Sequence, residues 1–248
     1  MTQSHPLSRA KVATLSTPTK KLNNRERMNF ETGNLYHIYN QGNNRQKIFF
    51  SRENYLFFLN KIKNHILPHA DIVAWCLMPN HFHLMVYVHD LEIEVGGSAE
   101  IGNDEIGSTT LSRATNTNTN TDTDRTRAAK IQTLNKSIAI LLTSYTRAIN
   151  IQENRSGSLF KPHTKAECLT KANGITPSFY GSRINVRIPE KEYPQVCFNY
   201  IHQNPVNANL VKLPEEWEFS SYPDYCGIRD GKLINRARAV EFGLVFSY

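Results

Sequence analysis

No stretch of this 248-residue chain approaches the ~20 consecutive apolar residues of a membrane-spanning helix, so no membrane association is expected. Cysteine is scarce. The four residues Cys76, Cys168, Cys197 and Cys226 lie far apart and form no Cys-x-x-Cys pair. That spacing argues against a zinc knuckle or a disulfide framework and fits reduced thiols in a cytoplasmic protein. Acidic residues are outnumbered, 22 Asp and Glu against 29 Lys and Arg, for a net charge of +7. A surplus of this size suits a polyanionic partner, most simply nucleic acid, although a merely basic protein would carry the same charge. The length suits one domain with extensions.

Acid is scarcest at the start of the chain. Glu26 stands alone there against Arg9, Lys11, Lys20, Lys21, Arg25 and Arg27. Residues 1–28 read as a disordered basic tail. The composition also suits an organelle transit peptide, and a true start at Met28 is a third reading. A domain follows over 29–225, interrupted by a disordered insert at 91–129, where Gly96-Gly97 and the Thr115–Asp124 run of alternating Thr with Asn or Asp cannot bury apolar surface. Residues 226–248 read as a C-terminal extension.

Within the domain, Leu35–Tyr39 reads as a strand closed by the polar loop Asn40–Asn44. Residues 52–67 read as a helix with Tyr55, Phe58, Leu59, Ile62 and Ile66 at helical spacing before Pro68. Ile72–Leu77 and Phe82–Val88 form a hairpin around Met78–Asn80. Ile131, Leu134, Ile138, Leu141, Leu142, Tyr145 and Ile149 share one face of a helix over 131–150. A further helix at 192–203 is stopped by Asn204-Pro205. The pattern predicts an α+β fold, a ferredoxin-like sandwich with an antiparallel sheet and helices packed on one face.

The chemistry-bearing segment is Met78-Pro79-Asn80-His81-Phe82-His83-Leu84-Met85-Val86. Residues i and i+2 of a strand share a face. His81 and His83 therefore point together, while Phe82, Leu84 and Val86 point into a core. Two imidazoles side by side can hold one divalent cation; two unliganded strand histidines are the plainer reading. Tyr145 shares the stripe of Leu141 and Ile149, so it faces the sheet, either as a core residue or as a nucleophile near a metal-bound phosphate. Tyr39, Tyr87 and Tyr200 are the competing tyrosines. His37 either points at the site or packs within its strand. Arg45 and Lys47 either hold phosphates or are solvated loop charges. His202 reads as a helix-end residue and Trp217 as a packing anchor.

These residues carry a family resemblance. The chain resembles the single-tyrosine HUH transposases and, more closely, the REP-associated tyrosine transposases. Tyr36-His37-Ile38-Tyr39-Asn40 with Gly42 and Arg45 is similar to the family's opening strand and turn. Met78–His83 is similar to its His-hydrophobic-His motif, and Ser144-Tyr145-Thr146-Arg147 with Asn150 to its tyrosine helix. Gly157–Phe160, Tyr200–Val206 and Trp217 with Ser220-Ser221 are similar to its C-terminal half. The departures are Gln41, where the family often has Arg, the segment Lys161–Lys165, which lacks the usual basic-aromatic pairing, and the long insert. They bear on which DNA is recognised more than on chemistry.

The resemblance implies an enzyme that cleaves and rejoins single-stranded, hairpin-associated DNA. Mg²⁺ or Mn²⁺ at His81 and His83 would offset charge on the scissile phosphate. Tyr145 would attack phosphorus, leaving a 5′-phosphotyrosine link and a free 3′-OH. Asn150 or Gln152 would complete the protein ligands, and Arg45, Lys47, Arg147 and Lys161 would hold DNA. The family includes monomers and dimers, so a homodimer is among the expected states. The competing reading is a domesticated module that binds hairpin DNA or RNA without cutting it.

Overall fold

The computed structural model describes residues 28–95, 130–171 and 192–245. The basic tail before Met28 and residues 96–129 of the expected insert lie outside the described residues, as do 172–191 and 246–248. The elements run β1 (Leu35–Gln41), α1 (Arg52–His65), β2 (Ala70–Met78), β3 (His81–Val88), β4 (Glu92–Val95), β5 (Lys130–Thr133), α2 (Leu134–Gln152), β6 (Lys165–Cys168), α3 (Tyr193–Asn207), α4 (Tyr222–Tyr225) and α5 (Arg236–Glu241). Four strands form one antiparallel sheet in the order β2-β3-β1-β6. With α1 and α2 as crossovers this is the βαββαβ plan of a ferredoxin-like α+β sandwich.

The two-residue alternation of β3 sorts the molecule into two cores. Phe82, Leu84 and Val86 join Tyr36, Ile38, Trp75 and Leu77 on one face. There they meet Phe58 and Ile62 of α1 and the stripe Leu134, Ile138, Leu141, Tyr145 and Ile149 of α2. Each such side chain contributes roughly 1.5–3 kcal/mol by leaving water. The alternate residues Leu35, Cys76, Met78 and Met85 face Cys197, Phe198 and Ile201 of α3, joined by Ala239 and Leu244. Helices thus cover both faces, not one. A second apolar set on β1, β2 and β3 needed its own cover, and α3 supplies it.

Several predicted boundaries move. Glu92–Val95 pairs with Lys130–Thr133 as a separate two-stranded ladder, so the segment expected to be insert from residue 91 begins as a strand. Ile131 belongs to that ladder and is 62% exposed; the helix starts at Leu134, capped by the Thr133 hydroxyl, which accepts from the Lys136 N–H. The helix expected to stop before Asn204-Pro205 continues through both to Asn207. Proline lacks an N–H and removes one internal bond, but burial of Asn204 and Pro205 carries the last turn onward.

The segment read as a C-terminal extension belongs to the fold. Edge strand β2 is bridged by Ser220 opposite Cys76 and by Ile234 beside Ile72. Its backbone groups are taken up by Phe219 O from Leu77 N, by Ser221 N to Trp75 O and by Asn235 N to Ile72 O. Tyr225 donates its hydroxyl to Val73 O at 2.6 Å, and Arg238 pairs with Asp71. No helix among the described residues is long and apolar enough to cross a membrane.

Candidate functional site

The hairpin turn Pro79-Asn80 fixes where the histidine strand begins. Asn80 O accepts from Gly42 N at 2.8 Å, and Pro79 O accepts from Ile48 N at 2.8 Å and Phe49 N at 3.2 Å. The loop after β1 therefore clamps the turn from three donors. Gly42 is required there because a Cβ would sit 2.3 Å from Gln46 O. Trp217, half-buried, donates its indole N–H to Leu77 O at 3.1 Å and serves as a packing anchor for β2.

His81 and His83 project to one face, with ring centroids 4.9 Å apart and planes at 85°. His37 of β1 stands behind them, its Nε2 2.9 Å from His83 Nδ1. Tyr39 stacks on His37 at 4.7 Å, and Tyr200 of α3 meets His83 edge-on at 5.4 Å. His81 has Asn80 Oδ1 2.5 Å from Nδ1 and Asn204 Oδ1 3.3 Å from Nε2. The buried His83 Nε2 has no hydrogen-bond partner.

All three histidines are held toward the neutral form. Burial lowers His37 to about 3 and His83 well below the usual imidazole range, with His37 and His81 adding repulsion at His83. Burial also lowers His81, partly offset by its bond to Asn204. Neutral imidazole is the form that ligates a metal.

The pair opens into a cavity of about 260 Å³ that also carries Tyr39, Gln41, Lys161, His163, Lys165 and Tyr200. Lys165 stands directly opposite Tyr39 across β1 and β6, hence on the histidine face. Ion pairs at Arg52, Lys171, Arg229, Lys232, Arg236 and Arg238 neutralise basic side chains elsewhere. Among the described residues, Arg45, Lys47, Arg147, Lys161 and Lys165 take part in no ion pair. Of these, Lys161 and Lys165 line the histidine cavity, whereas Arg147 lies with Asn150 and Arg155 on α2. The cavity thus combines lysine ammonium groups with imidazole nitrogens, a lining suited to an anion such as phosphate.

A divalent cation fits the pair in one respect that the structure shows: His83 offers a buried, unpartnered nitrogen beside His81. No set of three or more His, Cys, Asp or Glu is placed to hold a metal among the described residues. Among those residues, a further protein ligand would be of another type.

The residues expected to join the histidines divide into two groups. Lys161 lines the cavity and donates its ammonium to Gln41 Oε1 at 2.8 Å. Arg45 and Lys47 are exposed on the clamping loop, where Asn80 Nδ2 donates to Arg45 O at 3.2 Å. Tyr145 is not brought to the histidines. It is fully buried on the opposite face, among Phe49, Phe58 and Phe160, and donates its hydroxyl to Ile48 O at 2.7 Å. Burial raises its phenol far above the ordinary value, so a phenolate is disfavoured. Nor does Asn150 face the pair. Its amide donates to Gly157 O at 2.8 Å, beside Arg147 and Arg155 on the outer end of α2. Gln152 bonds to Asn54 at 2.8 Å. The physical reason is common to all three: α2 packs against the Phe82 face, and the histidines occupy the other.

Sequence reasoning underrated His37, Lys165, Tyr200 and Asn204. The two-residue period already placed His37 in a strand, but which partner it met depended on register. Asn204 carried only the signal of a helix stop.

No protein-family model matches the sequence, and no curated protein matches it. Among solved structures, the chain is similar to a REP-associated tyrosine transposase bound to a REP hairpin, at 16% identity and a TM-score of 0.45, over 90% of this chain and 88% of that one.

Proposed function

We propose that this chain binds single-stranded or hairpin DNA and acts on a phosphodiester at the His81–His83 pocket with the help of Mg²⁺ or Mn²⁺. The observation that carries this reading is the pairing, in one cavity, of a buried, unpartnered imidazole nitrogen with the ammonium groups of Lys161 and Lys165. A cation on the histidines would draw charge from the phosphate oxygens. Lys161 and Lys165 orient the phosphate, and His37 fixes the His83 ring.

The chain has two tyrosines on this cavity, Tyr39 and Tyr200. Either replaces Tyr145 as the attacking group. Its phenolic oxygen bonds to phosphorus as the P–O3′ bond breaks, and the phenolic proton passes to the departing 3′ oxygen. The 5′-phosphotyrosine bond keeps the phosphoester for rejoining, so no nucleotide cofactor is required.

One observation favours the second reading, a hairpin-binding module without cleavage: the tyrosine of the α2 helix is held in a core hydrogen bond. Incubation with labelled hairpin-flanked single strands and Mn²⁺, followed by denaturing gels, separates the two. A covalent adduct lost in Tyr39→Phe or Tyr200→Phe supports the enzyme. Hairpin binding without an adduct supports the module, and no DNA binding overturns both.

A further inference from the structure

We propose that Asn204 of α3 supplies the third protein ligand to the cation at His81 and His83, through its side-chain oxygen. The proposal rests on the reading of those two histidines as a metal site.

Several buried polar atoms around the histidine pair remain unmatched. His81 Nδ1 lies 2.5 Å from Asn80 Oδ1, and because Asn80 Nδ2 donates to Arg45 O, that oxygen is an acceptor that suits a proton on Nδ1 and a lone pair on Nε2. That lone pair faces Asn204 Oδ1 at 3.3 Å. In this orientation the atom that Asn204 turns toward the ring is an acceptor, the kind of atom that can share a cation with Nε2. Asn204 Nδ2 is buried and has no hydrogen-bond partner, so the amide is not committed to any other group. His83 Nε2, on the neighbouring ring, is buried and unpartnered as well. Asn204 is 8% exposed and His83 4%, so neither group is satisfied by bulk water.

The separation also suits shared coordination. Ligands at right angles about an ion with bonds of about 2.1 Å stand about 3 Å apart. Neutral oxygen is the donor expected here, since no carboxylate joins the pair among the described residues. Two imidazoles and one amide oxygen leave about three positions for phosphate oxygens or water. Asn204 reaches the site because α3 lies on the histidine face, with Phe198 and Ile201 in the core beneath it.

Turning the amide over would instead place its N–H₂ against His81 Nε2, as a hydrogen-bond donor that merely positions the ring. Aspartate separates the two roles, because it keeps the oxygen and removes the donor.

The test is Mn²⁺ titration of the full chain, read by electron paramagnetic resonance, with near-ultraviolet circular dichroism to confirm folding. Asn204→Ala is expected to bind Mn²⁺ at least tenfold more weakly, and Asn204→Asp as tightly as the native chain or more so. Asn150→Ala is expected to leave the affinity unchanged. Native affinity in folded Asn204→Ala, or weakened binding in Asn204→Asp, overturns the assignment while leaving the histidine pair as the metal site. An Asn204→Ala chain that does not fold leaves the decision to the near-isosteric aspartate variant. A native chain that binds no Mn²⁺ removes the metal reading itself, and the proposal with it.

Discussion

His37 Nε2 lies 2.9 Å from His83 Nδ1, and that approach decides which nitrogen His83 presents to the cavity. With Nδ1 engaged, Nε2 is the nitrogen left for a ligand. Partners of this kind fix the ring and its tautomer, and removing them typically costs 10–100-fold in metal affinity. His37→Phe keeps an aromatic ring in the strand and removes the nitrogen that meets His83. Mn²⁺ affinity measured by calorimetry should fall by about 10–100-fold in this variant. Unchanged affinity would show that His83 is oriented by its other neighbours.

Tyr145→Phe should behave as a core substitution. It removes the hydroxyl donated to Ile48 O, leaving a buried carbonyl short of a partner. The expected destabilisation is about 1–3 kcal/mol in urea unfolding. Hairpin affinity and any covalent adduct should persist in the folded variant. Disappearance of the adduct alone would restore Tyr145 as nucleophile, through a rearrangement that frees it from the core.

Acid should destabilise the fold well above the carboxylate range. Burial lowers both His37 and His202 to about 3, whereas an unfolded histidine titrates near 6.5. Above pH 6.5 both states are neutral at these rings and the full stability is present. Below it the unfolded chain binds protons that the native chain refuses, so stability falls as pH drops from about 6.5 toward 3, by up to about 1.4 kcal/mol per pH unit for each group. Denaturant midpoints between pH 7 and pH 4 would reveal this. A flat profile would mean that both rings take up their protons without unfolding.

DNA binding should be strongly salt-dependent, because exposed cations lacking carboxylate partners line the histidine cavity. Replacing Arg45, Lys47 or Lys161 by Ala should weaken binding by a similar factor for every sequence. Each phosphate interaction removed in this way should reduce the steepness of the log affinity against log salt plot by about one. Fluorescence anisotropy across a salt series measures it. A slope unaltered in all three variants would place the DNA elsewhere.

Much of this architecture is legible in the sequence. The apolar alternation of Phe82, Leu84 and Val86 located β3, and the stripe from Leu134 to Ile149 located α2. The helical stripe shows that Tyr145 faces the sheet, but not which face, because Met85 and Cys76 make the histidine face apolar as well; the structure places α2 on the Phe82 face. What the sequence leaves open is cross-strand register and the covering of the histidine face. The approach of His37 to His83 depends on how β1 pairs with β3. The approach of Asn204 depends on a helix continuing through Pro205, against the local signal. Lys165 becomes visible only once β6 is paired to β1.

The sealing of β2 by residues 219–221 and 234–235 has a consequence for assembly. An open edge strand is a template for another chain, and so a route to aggregation. Here the route is closed by the protein's own distal segment, so two copies cannot associate by continuing the sheet through β2. Truncation near residue 225 would therefore not yield a tidier minimal domain. It would strip Asn235 from Ile72, remove Ala239 and Leu244 from the core and leave a partly bare ladder, and the shortened chain should self-associate where the full chain does not.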